Sequence, residues 1–207
     1  MTLLSTSYLP PIPYIAACVK AKNITLEKHE HYVKQTHRNR ALIYSANGIL
    51  PLIIPVRHEN LFKIPIEEVK ISYDSSWQKT HWRSLVSAYR NAAFFEYYED
   101  EFAALYRDKP ETLFDFNLGL INRVFHFLRA EVTVSFTASY EKVTTDSTDL
   151  RSAFDAASSS IPIGESPENR YRQVFSGIHG FFPNLSIIDL LFNEGPESLA
   201  YITSNYQ

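Results

Sequence analysis

The chain has one cysteine in 207 residues, Cys18, so no disulfide can form within it and a reducing cytoplasm is its expected home. Glycine is scarce as well, at six residues. Neither the phosphate-cradling P-loop nor the glycine fingerprint of dinucleotide sites occurs, so no cofactor is assigned. Long apolar runs are missing: the opening one breaks at Pro10-Pro11-Ile12-Pro13, and no basic residue precedes Lys20. Neither a signal peptide nor a transmembrane segment is expected. An excess of positive charge is also absent. A formal net charge of -3 gives no general attraction to nucleic acid or to an anionic membrane, so no nucleic-acid partner is expected.

What is present suits a globular α/β protein. With 45% hydrophobic and 21% charged residues, the chain can bury one large core, so one domain over residues 1–207 is expected. Its 13 tyrosines and 14 phenylalanines serve packing by default, or stacking against sugars and bases. Residues 2–9 read as a strand, which the prolines turn into a helix over 14–21 with Ile15, Cys18 and Val19 on one face. Residues 23–30 read as extended. Residues 41–44 and 49–56 flank Asn47-Gly48, a hairpin signal, and 69–73 read as a further strand. Three helices follow, at 77–89 behind an Asp74-Ser75-Ser76 cap, at 96–107, and from Pro110 toward Arg129. Residues 132–136 return as a strand. Residues 144–167, polar and rich in serine, read as a mobile surface segment. The C-terminal helix is framed by Ser186 and Asp189, spaced as a capping box, and stopped by Gly195-Pro196. The whole predicts a mixed β-sheet with a helical cluster contributed by residues 77–129.

Several pieces in order, specific when taken together, carry a family resemblance. They are Tyr8-Leu9-Pro10-Pro11 with Tyr14, Tyr32-Val33-Lys34-Gln35 leading into Arg38-Asn39-Arg40, Leu52-Ile53-Ile54-Pro55-Val56, Trp77 with His81-Trp82, Asn117, and the run from Pro183 through Asp189 to Asn193. The sequence resembles the WbqC-like protein family. Members of that family are met in gene clusters for O-antigen and other surface polysaccharides. The resemblance therefore implies a transferase in surface polysaccharide synthesis, passing an acyl or aminoacyl group to an activated amino sugar. The alternative it leaves open is a non-catalytic protein of the same pathway that binds a nucleotide sugar or a partner.

The residues themselves offer a binding constellation and a candidate base. Arg38 and Arg40 alternate, so on an extended chain they would point to one face and form a two-pronged clamp for a phosphate, with Lys34 or Arg57 converging on the same concave surface. A solvated strand edge is the plainer reading of those charges. Lys34, Gln35 and Asn39 would orient the sugar phosphate or nucleotide sugar, and the resemblance adds Tyr8. His81 borders the apolar stripe of its helix, where it is either a satisfied packing residue or a general base on the acceptor amine. Asp189 either caps its helix or orients His81. Asn117, on an apolar stripe, either clamps a backbone turn or faces substrate. His29 and His31 lack an identifiable third ligand, so no metal is expected. Cys18 lies on an apolar face, where packing outweighs a nucleophilic role.

Overall fold

The computed structural model describes residues 2–57, 64–142, 148–154 and 170–206. Strand β1 (Thr2–Ser5), helix α1 (Ile12–Ala21) and strand β2 (Asn23–Glu27) form a βαβ unit. Strands β3 (Arg40–Ser45) and β4 (Gly48–Ile53) form a hairpin. Helices α2 (Trp77–Tyr89), α3 (Phe95–Arg107) and α4 (Leu113–Leu128) form the helical cluster. Strands β5 (Thr133–Phe136) and β6 (Thr148–Asp149) follow, then α5 (Ser176–His179), α6 (Ile187–Glu194) and α7 (Ser198–Asn205).

Four strands make a parallel sheet in the order β5-β2-β1-β6, and the antiparallel β3-β4 pair stands apart as a second sheet. The fold is α/β with both kinds of pairing, as expected, but the two kinds occupy separate sheets. One hydrophobic core runs from Leu4 to Ile202. Helix α4 shows how the pattern drives it. Leu113, Phe116, Leu120, Val124 and Leu128 recur at helical spacing and are all buried. Full burial of each such side chain stabilises the fold by about 1.5–3 kcal/mol.

Several local expectations shift for identifiable reasons. The first strand ends at Ser5, because the chain turns through a buried loop in which Leu9 takes a φ of 39°. In the hairpin Ser45 pairs with Gly48, so the two-residue turn is Ala46-Asn47 and Gly48, at φ 96°, opens β4. Residues 69–73 do not form a strand. They make only isolated bridges, Val56 to Ile71 and Lys70 to Thr112, behind the 3₁₀ turn Ile66–Glu68. Pro110 stays outside α4, whose cap is Thr112 accepting the Asp115 amide. Ser76 gives α2 no side-chain cap, and Asp74 is turned instead to the Ser72 hydroxyl at 2.8 Å.

Of the segment 144–167, residues 148–154 belong to the described structure and the others lie outside it. Residues 148–154 are anchored rather than loose. Thr148 and Asp149 pair with β1, the Phe154 ring meets Tyr14 at 5.4 Å, and the Arg151 side chain is largely buried.

Candidate functional site

Parallel α/β sheets place ligands outside the carboxyl ends of their strands. In this protein the carboxyl end of β1 leads into a buried polar loop, residues 5–9, and the end of β2 leads into residues 28–40. The two loops are tied together by the Tyr8 amide, which donates to the His37 carbonyl at 2.8 Å.

Arg38 does not extend alongside Arg40. It lies in a turn and is buried, donating to both carboxylate oxygens of Glu30 at 2.9 and 2.8 Å and to Ser5 Oγ at 2.7 Å. The expected two-pronged clamp is therefore not formed, because the turn at 37–39 breaks the alternation that an extended strand would impose. A second charge cluster that the sequence reading missed lies at the end of β2. Glu27, fully buried at the end of β2, accepts from the His29 amide and Thr137 hydroxyl at 2.8 Å each and pairs with Arg151 at 3.3 Å. Arg151 also pairs with Asp149 at 2.6 Å, which holds the Asp149 carboxyl below its ordinary range. A charged residue directly after Ile24-Thr25-Leu26, which are buried on both faces of the strand, was the available signal for Glu27.

Lys34, Gln35, Asn39 and Arg40 do come together. With Tyr32 and residues 53–56 they line a pocket of about 300 Å³. Lys34 and Gln35 are exposed, Arg40 is half-buried, and Gln35 holds a φ of 60° at the rim. Arg57 and Arg38 are not among the lining residues. The floor is rigid: Asn39 Nδ2 donates to the Ile54 carbonyl, and the Ile54 amide to the Asn39 carbonyl, both at 2.9 Å. Asn117 reaches from α4 to donate to the Arg38 carbonyl at 2.8 Å, so it clamps the turn instead of facing the pocket. Burial pushes the Tyr32 hydroxyl up to about 12, leaving it neutral.

His81, only 5% exposed, lies behind this pocket. Its Nδ1 is 2.9 Å from the Tyr8 hydroxyl, which in turn hydrogen-bonds the hydroxyl of Tyr106. The backbone of Ile53, a pocket-lining residue, lies close enough to act on the ring's charge. Burial lowers the His81 pKa to about 4, so the ring is neutral at physiological pH. Trp77 packs edge-on against it at 5.1 Å and Tyr8 stacks at 5.8 Å. Nδ1 is engaged by Tyr8, which is itself fully buried, away from the pocket surface.

Asp189 sits in a different network. Its Oδ2 accepts from the Tyr171 hydroxyl at 2.5 Å and from Gln173 Nε2 at 2.9 Å, and its carboxylate also interacts with Tyr89. Burial raises its pKa to about 6 against those hydrogen bonds. Ser186 caps α6 through the Ile188 amide, while the Ser186 amide donates to Leu42; the reciprocal half of the expected capping box is not made. His81 and Asp189 thus hydrogen-bond different partners and form no dyad. Burial pushes the Cys18 thiol up, so it is a packing residue, and His29 is taken by Glu67 at 3.0 Å.

The model of the WbqC-like protein family matches residues 6–160, which carry the β1 loop, the 32–40 turn, the hairpin, His81 and Asn117. The chain belongs to the WbqC-like protein family. It is also similar to Rv1507c, an uncharacterised protein of Mycobacterium tuberculosis (strain ATCC 25618 / H37Rv), at 25% identity over 98% of this chain and 96% of that protein. No solved structure matches significantly. Among the described residues, no helix is long and apolar enough to cross a membrane. The residues of this WbqC-like chain that carried the resemblance therefore divide by task. Tyr8, Arg38, His81 and Asn117 hold the turn from beneath, whereas Lys34, Gln35, Asn39 and Arg40 face the concavity.

Proposed function

We propose that this protein is a transferase of surface polysaccharide (O-antigen-type) synthesis that binds a phosphate-bearing activated amino sugar in the pocket between residues 32 and 56. The supporting observation is the convergence of Lys34 and Arg40 on one small concavity whose floor is fixed by paired backbone and amide hydrogen bonds. Cations carried on a backbone held in place favour a phosphate because less ordering entropy is lost on binding. In the transfer step the sugar amine attacks the donor carbonyl. A C–N bond forms, the bond from the carbonyl to the donor's leaving group breaks, and the proton released from the nitrogen passes through solvent to the departing group. His81, buried and bonded through Nδ1 to Tyr8, takes no part in that proton transfer; it supports the pocket from behind.

The burial of both His81 and Asp189 favours a second reading, a protein of the same pathway that binds the sugar without turning it over. One experiment addresses both. An amino-sugar 1-phosphate is titrated into the wild type and into Lys34→Gln/Arg40→Gln, and is then incubated with activated acyl donors. Wild-type binding that weakens by about tenfold or more in the double variant is expected, from loss of two charge-assisted contacts. Equal binding by the variant sinks the pocket assignment. Acylated sugar in the product favours the transferase, and tight binding with no acylated product favours the binder.

A further inference from the structure

A second cavity, of about 490 Å³, lies between the start of α2, the end of α3 and the connector into α4. It shares no lining residue with the pocket at residues 32–56. Three of its lining side chains are cations, Lys79, Arg107 and Lys109, and none is acidic. Arg107 and Lys109 flank the end of α3, two residues apart, and the tertiary structure brings Lys79 of α2 to them. Its aromatic walls are Trp82, half-buried on α2, together with Tyr73 and Tyr106.

The cavity is built rather than incidental. Gln78 Nε2 donates to the Asp108 carbonyl, and the Tyr73 hydroxyl donates to the Pro110 carbonyl at 2.7 Å, so the connector is tied to the approach and first turn of α2. Trp82 is backed by Phe95 at 6.2 Å and Tyr106 at 5.9 Å, which fixes its ring plane. Lys109 is held over the Tyr73 ring at 5.7 Å. Ser75 and Ser76 line the mouth at the N-terminus of a 13-residue helix whose cap makes no side-chain hydrogen bond and whose first turn carries no acidic residue. The first amides of such a helix lack intrahelical acceptors and favour an anion.

We infer that this cavity binds a nucleoside diphosphate, with the base against Trp82 and the diphosphate among Lys79, Arg107, Lys109 and the first-turn amides of α2. The physical fit has two parts. A flat aromatic wall suits a base of any identity, because every base offers a π-face, and three cations with no opposing carboxylate suit a strongly anionic group. The volume lies within the range of about 300–1,000 Å³ usual for small-molecule sites. The lining residue Tyr106 also hydrogen-bonds Tyr8, which bonds His81. The inference does not depend on what the pocket at 32–56 holds.

The test uses ADP, UDP and inorganic pyrophosphate, titrated calorimetrically into the wild type, Lys79→Gln/Lys109→Gln and Lys34→Gln/Arg40→Gln. All four substituted lysines and arginines are at least partly exposed, so the variants are expected to fold, and thermal melts check this. Arg107 is left in place because it also offsets the C-terminal dipole of α3. The expected result is saturable binding of ADP and UDP at a site that is weakened about tenfold or more in Lys79→Gln/Lys109→Gln and retained in Lys34→Gln/Arg40→Gln. Pyrophosphate should bind about tenfold more weakly than either nucleotide, because base stacking contributes roughly 1–3 kcal/mol. The chain has two tryptophans, so in Trp77→Phe the nucleotide should quench the emission of Trp82 alone. Absence of saturable binding, equal affinity for pyrophosphate and nucleotide, or full affinity in Lys79→Gln/Lys109→Gln overturns the assignment. Loss only in Lys34→Gln/Arg40→Gln overturns it too and moves the nucleotide to the other pocket.

Discussion

The Tyr8 hydroxyl meets Nδ1 of His81 at 2.9 Å, joining the loop after the first strand to the second helix across 73 residues of sequence. Neither group touches the surface, so the contact shapes the site from behind. Its protonation chemistry is matched by that of Asp189, and the two have opposite consequences for stability.

His81 has its pKa lowered from 6.5 to about 4, so the unfolded chain takes up its proton first as the pH falls. The folded state loses stability from pH 6.5 down to about 4, on the order of 3 kcal/mol in all. Asp189 has its pKa raised from 3.8 to about 6, so its contribution is present below pH 3.8 and is lost as the pH rises through 6. The two slopes cover nearly the same window and offset each other. Relative to wild type, Asp189→Asn should therefore lose stability on acidification between pH 6.5 and 4, and His81→Gln should lose it on alkalinisation between pH 4 and 6. Urea unfolding at several pH values measures both, and parallel pH profiles for the variants and wild type contradict the assignment.

Arg38 and Glu30 form a buried, bidentate pair. Removing one partner leaves the other charge unsatisfied in the interior, so Arg38→Met should destabilise by about 3–5 kcal/mol. Replacing both, in Arg38→Met/Glu30→Met, should recover part of that loss. If Arg38→Met unfolds at the same urea concentration as wild type, the pair is not buried as described.

Gly195 ends α6 with a φ of 54°, and a Cβ placed there would run into the ring of Phe94. Both the backbone and the space demand glycine, so Gly195→Ala should cost roughly 2 kcal/mol or more. Gly177→Ala, in α5, meets nothing within 4 Å and serves as the near-neutral control. Similar thermal midpoints for the two variants would refute the close approach.

The elements that the sequence declared most clearly were those set by local periodicity. The stripe Leu113, Asn117, Leu120, Val124 and Leu128 needs no tertiary knowledge to read as a helix, and Gly195-Pro196 marks a helix end through backbone sterics alone. Residues 69–73 failed because a strand needs a partner over several residues, and only isolated bridges were available. The site divides in the same way. Lys34, Gln35, Asn39 and Arg40 are close in sequence, so their shared concavity was within reach of local reasoning. Whether Arg38 joined them depended on Glu30 and Ser5, and whether His81 was accessible depended on Tyr8 and Ile53. The sequence by itself determined the composition, the helices α1 to α4 and α6, and the family-bearing motifs, because those follow from covalent order and short-range sterics. Only the tertiary structure decided which charges were neutralised inside and which faced a cavity, because burial and pairing are set by residues distant in the chain.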